Sequence, residues 1–94
     1  MRVQVEFLGL SRLVSGQKEV SLEIEPDATF RDIVGILADR YPEMIGNVIR
    51  PDRKTLQEPN IFNLNARKMI QAAQMDSVPS EHDRIILMSM SAGG

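Results

Sequence analysis

The residues with the clearest chemical potential stand at the last two positions of the chain, Gly93 and Gly94. A terminal glycine presents an ionised carboxylate beside a carbon that carries no side chain. Because a carboxylate is a poor electrophile, it reacts with a nucleophile only after activation, for example as an acyl-adenylate. A separate enzyme with its own ATP site would supply that activation and the charge stabilisation. The pattern therefore predicts a protein that presents its terminal carbonyl for attack.

The composition disfavours several other kinds of chemistry. The chain contains no cysteine, which excludes disulfides, thiolate nucleophiles and thiolate metal sites. Its formal net charge of −2 disfavours nucleic-acid partners, which usually require a basic face. No apolar run approaches the ~20 residues of a membrane helix, and the charged start does not resemble a signal peptide. We expect a cytoplasmic protein with no membrane partner and no metal site.

The elements that must position this terminus begin with two alternating segments. Residues 3–7 and 20–24 alternate apolar and polar side chains, which predicts two half-buried strands joined in a hairpin with a long connection. Gly9 and Gly16 bracket residues 10–15 inside that connection. This bracketed segment is expected to be a loop or a single helical turn.

One long helix is well marked in the sequence. Thr29 can cap its start, and Asp32 stands in the first turn, where the helix dipole favours an anion. Apolar residues follow at helical spacing from Phe30 to Tyr41, and Pro42 ends the pattern. The spacing predicts a helix with one apolar stripe that packs on a sheet.

The second half of the chain gives weaker signals until its last strand. We expect a short helical turn at 43–49 followed by a loop, and a short strand at 61–64. Residues 67–75 favour a helix by propensity, with a brief strand at 69–70 as the competing interpretation. Residues 84–88 predict a final strand, and the first and last strands are expected to lie side by side in the middle of the sheet.

This order of elements predicts one α+β domain over residues 1–88. The domain has a mixed four- to five-stranded sheet with one main helix packed on one face. Residues 89–94 are expected to form a flexible tail that ends in Gly-Gly. Its small side chains contribute nothing to a core.

The element order, the size and the run Asp83-Arg84-Ile85-Ile86-Leu87-Met88 leading to Ala92-Gly93-Gly94 resemble the ubiquitin-like β-grasp sulfur carriers. This family includes the small subunit of molybdopterin synthase, the thiamine-pathway sulfur carrier and related archaeal and bacterial modifier proteins. Molybdopterin-type members often have two prolines where this chain has Ser89-Met90, and tend to have Asn-Gly where it has Asn65-Ala66.

The resemblance implies that Gly94 is adenylated and converted to a thiocarboxylate, and that Gly93 lets the tail enter a partner's active site. It implies no cofactor bound by this chain, since ATP is used by a ubiquitin-activating-like adenylyltransferase. A larger acceptor subunit, such as the molybdopterin synthase catalytic subunit, would receive the sulfur. The chain would be a sulfur-donating small subunit or co-substrate rather than a stand-alone enzyme. Molybdenum cofactor biosynthesis is the first expectation, with other thiolation pathways open.

The final strand also suggests a docking surface. Because side chains alternate along a strand, Ile86, Met88 and Met90 share one face when the residues between them face the helix. Together with Ala92, these side chains would contact the activating enzyme. Ordinary packing against a neighbouring loop is the alternative.

Two other functions remain open at this stage. The same activated Gly94 could form an isopeptide bond with a lysine, which would make the chain a protein modifier. The domain could also be a noncatalytic interaction module with an inert tail. His82 is expected to be a surface turn residue, and the charges at 52–54 and 67–68 are expected to be solvated.

Overall fold

Five strands form one mixed sheet in the computed structural model, which describes residues 1–90. The strands are β1 Arg2–Phe7, β2 Glu19–Glu23, β3 Asn60–Leu64, β4 Lys68–Ile70 and β5 Arg84–Ser89. The helices of this part of the chain are α1 Leu10–Ser15 and α2 Phe30–Arg40, with 3₁₀ turns at Pro42–Met44 and Ala72–Gln74. The strand order is β2-β1-β5-β3-β4, so β1 and β5 are adjacent at the centre, as the sequence predicts.

The central pair of strands fixes where the chain leaves the fold. β1 pairs antiparallel with β2 and parallel with β5, and β5 pairs antiparallel with β3. Parallel pairing places the carboxyl ends of β1 and β5 at the same edge of the sheet. The α1 helix follows β1 directly, so it lies at the edge where β5 ends.

The long helix α2 forms as its sequence predicts. The Thr29 side chain accepts a hydrogen bond from the backbone N–H of Asp32, and the Asp32 carboxylate accepts one from the backbone N–H of Thr29. This reciprocal capping box satisfies donors that a helix start leaves free. The apolar stripe of α2 is buried against the inner face of the sheet, where Phe30 lies 6.2 Å from Phe62 between ring centroids.

The segment between α2 and β3 differs from its prediction. Helical geometry stops at Met44 rather than continuing to residue 49. Val48 and Ile49 are fully buried, and Ile49 forms bridges with Ile45 and Leu56. Gly46 has a φ of 91°, outside the helical region, so the chain turns there instead of continuing as a helix.

Residues 67–75 form the brief strand of the competing interpretation, followed by a single 3₁₀ turn, rather than the helix that propensity favours. β4 pairs antiparallel with β3, and the Ala72–Gln74 turn follows it. The turn between β3 and β4 is tight, because the Arg67 N–H donates to the Leu64 carbonyl at 3.0 Å. Asn65 and Ala66 have φ values of 55° and 61°, and they are the two central residues of this turn within the three-residue connection from Leu64 to Lys68. Ala66 therefore carries a β-carbon where glycine would be less strained.

Candidate functional site

The end of β5 is the point from which the predicted reactive residues continue. β5 lies between β1 and β3, and it extends to Ser89, one residue further than the sequence predicts. The Met90 N–H then donates to the Pro59 carbonyl at 2.8 Å. Strand pairing as far as Ser89, followed by this hydrogen bond, thus holds the backbone through the last described residue. The predicted site residues Ala92, Gly93 and Gly94 lie outside the described residues.

The predicted docking side chains of β5 differ in their exposure. Ile85 and Leu87 are fully buried in the core, so Ile86 and Met88 point to the opposite face as expected. Ile86 is only 6% exposed, and Met88 is half-buried. Met90 is 52% exposed. The accessible apolar surface of this strand therefore increases toward its carboxyl end.

Ile86 does not offer the exposed surface that the sequence suggested. Its strand partners are Glu6 on β1 and Asn63 on β3, and both flank it on the outer face. The Glu6 carboxylate is paired with Arg84, which adds further cover along the same row. The Asn63 Oδ1 atom is buried without a hydrogen-bond partner. Central position in the sheet, rather than residue type, explains why Ile86 is covered.

An open cleft of about 600 Å³ lies beside the end of β5, and Met90 forms part of its wall. Arg31 and Arg50 also line it. The Arg31 guanidinium donates to the Asp76 carboxylate at 2.8 Å, and Arg50 lies 3.6 Å from the Glu58 carboxylate. Both cations have acidic neighbours, so the cleft has no strong excess of positive charge.

Ionisable groups around the cleft are held in their charged forms. The hydrogen bond from Arg31 lowers the pKa of Asp76, and the same contact raises the pKa of Arg31. The Lys54 N–H, aided by Thr55, lowers the pKa of Asp52. A general base or acid needs a pKa near the working pH, and these shifts move in the other direction. The groups serve as ion pairs and turn contacts.

The remaining candidates from the sequence behave as surface residues. His82 is exposed in a turn with φ 67°, and its backbone N–H donates to the Arg2 carbonyl at 2.7 Å. The charges at 52–54 and 67–68 are exposed, as predicted. Within residues 1–90, no cluster of three or more His, Cys, Asp or Glu side chains could hold a metal ion. In the same part of the chain, no helix has the length and apolarity to cross a membrane.

A group of exposed leucines was not singled out from the sequence. Leu8 and Leu10 are each 42% exposed, and Leu13 is 80% exposed. They lie in the connection that α1 occupies, at the edge of the sheet where β5 ends. The signal that could have revealed them is the three-residue spacing of Leu10 and Leu13, which places both on one face of a helix.

The comparisons with known proteins agree with this geometry. No protein-family model matches the chain. Small archaeal modifier protein 3 from Haloferax volcanii is 26% identical over 94 residues, covering 100% of both chains. The crystal structure of SAMP1 from Haloferax volcanii matches 100% of both chains with a TM-score of 0.81 and 18% identity. A putative molybdopterin converting factor, subunit 1, from Pyrococcus furiosus matches 94% of this chain and 95% of its own with a TM-score of 0.71 and 17% identity.

These similarities extend over the sheet, the main helix and the end of β5 alike. The fold predicted from the sequence, a five-stranded mixed sheet with one main helix on one face, is confirmed. The predicted resemblance to the ubiquitin-like sulfur carriers and archaeal modifiers is confirmed as well. The chain therefore has the ubiquitin-like β-grasp fold.

Proposed function

We propose that this chain is a carrier protein whose Gly94 carboxyl is adenylated by a separate enzyme and then loaded with sulfur as a thiocarboxylate. The observation that supports this most is the alignment with a small archaeal modifier protein over the full length of both chains, which includes Gly94. The fold shared with a putative molybdopterin converting factor subunit supports the sulfur branch.

The chemistry proceeds in two balanced steps. A Gly94 carboxylate oxygen attacks the α-phosphorus of ATP, and the bond from that phosphorus to pyrophosphate breaks. Hydrosulfide then attacks the carbonyl carbon of the acyl-adenylate, AMP leaves, and the proton of hydrosulfide passes to solvent. The product is a thiocarboxylate, and no oxidant or reductant is consumed. The activating enzyme supplies the ATP site and the electrostatic stabilisation of both steps.

The folded domain provides the surface that partner proteins bind during this chemistry. Met88 and Met90 form the accessible part of the predicted docking surface, and Ala92 would extend it toward Gly93. Methionine side chains adapt to partners of different shape, which suits a carrier that meets both an activating enzyme and an acceptor. Gly93 has no β-carbon, so it demands the least room in the partner's active site.

The acceptor that we propose first is a larger biosynthetic subunit of the molybdopterin synthase type. The thiocarboxylate sulfur would attack an electrophilic carbon of the precursor held by that subunit and displace a leaving group from it, which gives a thioester between carrier and precursor. Water would then cleave the bond between the Gly94 carbonyl carbon and sulfur, so that the sulfur stays on the precursor, a proton is released and the carrier leaves with an ordinary carboxylate. The chain would then return to the activating enzyme, as a co-substrate does. Molybdenum cofactor biosynthesis is the pathway that this acceptor defines.

A second candidate function is favoured by the similarity to the Haloferax volcanii protein, which is named as a modifier protein. In this function the amino group of a lysine on another protein attacks the same acyl-adenylate. AMP leaves, the nitrogen loses a proton, and an isopeptide bond joins Gly94 to that lysine. The activation step is common to both functions, and only the nucleophile differs.

Intact-mass measurement tests the proposal. The purified chain is incubated with its activating enzyme, ATP and hydrosulfide, and a parallel reaction omits ATP. We expect a mass increase equal to the difference between sulfur and oxygen, localised to Gly94 and present only with ATP. Conjugates of the chain with lysines of other proteins, without the sulfur-bearing form, would support the modifier function instead. An unchanged mass in the complete reaction, with no conjugates, would contradict both.

A further inference from the structure

A hydrogen bond to the Pro59 carbonyl holds the backbone of Met90, the last described residue, at the end of β5. Asn60 is paired with Ser89, and one residue beyond this pair the Met90 N–H donates to the Pro59 carbonyl at 2.8 Å. Two opposite residues in a hydrogen-bonded position of an antiparallel ladder each donate one N–H. Because proline has no N–H, Pro59 cannot return a bond, and this pair is joined from one side only.

The position of the Pro59 carbonyl is set by residues 57–60, which we call the exit turn. The Gln57 carbonyl accepts two hydrogen bonds from Asn60, one from the backbone N–H at 2.9 Å and one from Nδ2 at 2.8 Å. The Gln57 N–H donates to the carbonyl of the fully buried Val48 at 2.8 Å. The Asn60 side chain therefore closes a turn that is itself bonded to the core of the domain.

Another polar contact of the exit turn contributes less to it. Glu58 lies 3.6 Å from Arg50, and both side chains are exposed. Water screens an exposed ion pair, so such pairs add little to stability. Asn60 is half-buried, and loss of its Nδ2 donor would leave the Gln57 carbonyl with one partner fewer. The amide of Asn60, rather than the ion pair, is therefore the side-chain contact on which the exit turn depends.

A fixed Met90 backbone affects the proposed reaction through the freedom of the terminal carboxyl. In that reaction the domain binds the activating enzyme, and Gly94 must meet ATP in the active site of that enzyme. Every residue released from the sheet enlarges the volume through which a tethered group is distributed, so its effective concentration at one point falls. The bonds that hold Met90 therefore favour the reactive arrangement without contacting the substrate.

We infer that Asn60 is a positioning residue for the adenylation of Gly94, acting through the exit turn and its bond to Met90. This inference rests on the proposed function, because it assigns a role in that reaction to a residue of the folded domain. The effect falls on turnover rather than on binding, since the hydrogen bonds of the exit turn are internal to the domain. Asn60 and Met90 also line the open cleft, so direct contact of the amide with the enzyme is the alternative, and it would change KM.

The test combines ATP–pyrophosphate exchange by the activating enzyme, with the concentration of this chain varied, and amide hydrogen exchange of Met90. Asn60→Ala removes the Nδ2 donor. It should lower kcat about threefold with KM for the chain unchanged, and accelerate amide exchange at Met90 about fivefold. Asn60→Asp keeps the shape of the side chain, loses the same donor and should have the same effects.

Two control variants separate positioning from a general loss of stability. Asn47→Ala removes a bond of the same kind outside the exit turn, from Asn47 Nδ2 to the Glu43 carbonyl at 3.0 Å. Glu58→Gln removes the exposed ion pair within the exit turn and leaves the Asn60 amide in place. Both controls should keep the wild-type kcat, KM and amide exchange at Met90, and thermal unfolding of all variants measures their stability.

The possible results separate this inference from the proposed function. Unchanged kcat or unchanged amide exchange at Met90 in the Asn60 variants, with an active wild-type chain, would overturn the role of Asn60 and leave Gly94 activation intact. A raised KM at unchanged kcat would assign Asn60 to the contact with the enzyme instead. An equal loss of kcat in Asn47→Ala would attribute the effect to stability and also contradict positioning. A wild-type chain that supports no ATP–pyrophosphate exchange would overturn the proposed function and the inference together.

Discussion

The two α-helices of this protein use their apolar residues in opposite ways. The α2 helix begins with a capping box and buries its apolar stripe, including Leu37, in the core. The α1 helix has no side-chain cap, buries Ser11 completely and leaves Leu13 80% exposed. Packing explains the leucine of α2, but it does not explain the leucines of α1.

Apolar character alone therefore does not identify a core residue. In α2, burial of the stripe supplies the free energy that keeps the helix on the sheet. In α1, the Ser11 hydroxyl bonded to two backbone carbonyls and the packing of Val14 against the core hold the helix, while Leu10 and Leu13 remain exposed. Burial in the core therefore accounts for the apolar stripe of α2 and does not account for Leu10 and Leu13 of α1.

The largest expected effect is a difference in the free energy of unfolding between a leucine substitution in α2 and one in α1. Leu37→Ala should lower the free energy of unfolding by about 3 kcal/mol, because it removes buried methyl groups and leaves a cavity. Leu13→Ala should change it by less than about 0.5 kcal/mol, because the side chain is already in water. Urea unfolding of both variants measures the two values. Equal losses would show that Leu13 is packed and would remove the contrast between the helices.

A smaller effect is expected at the anchor of α1. Ser11→Ala should lower the free energy of unfolding by about 1–2 kcal/mol, because it removes a buried donor from the Leu8 and Leu87 carbonyls. Ser80→Ala is the control, since Ser80 is exposed in a turn. Thermal unfolding compares the two variants, and amide exchange of residues 10–15 should accelerate only in the Ser11 variant. Equal stabilities and exchange rates would mean that the hydroxyl does not hold α1.

Local patterns were sufficient to predict the elements whose signals are contained within a few residues. The alternation of residues 3–7 predicts β1, and Thr29 with the following apolar stripe predicts α2. The short strand β4 was ambiguous because Met69, Gln71 and Ala72 favour a helix by propensity, whereas pairing of Ile70 with Phe62 on β3 determines the outcome. That pairing is a tertiary interaction, and the local pattern does not contain it.

The sequence predicted which face of the sheet the site residues of β5 occupy, but it did not predict how exposed each side chain is. Period-two alternation correctly placed Ile86 on the face opposite Leu87, yet its cover by Glu6 and Asn63 comes from strands distant in the sequence. The buried state of Ser11 depends likewise on a carbonyl 76 residues away, at Leu87. Exposure on a sheet depends on strand order, and strand order is fixed by long-range pairing.

The most direct test of the account is whether the enzyme-dependent reaction of ATP requires the last two glycines. The full chain and a version that lacks Gly93 and Gly94 are compared for ATP–pyrophosphate exchange with the activating enzyme and for thermal unfolding. The account predicts exchange with the full chain, none with the shortened chain, and the same Tm for both. Exchange that persists in the shortened chain at an unchanged Tm would contradict it.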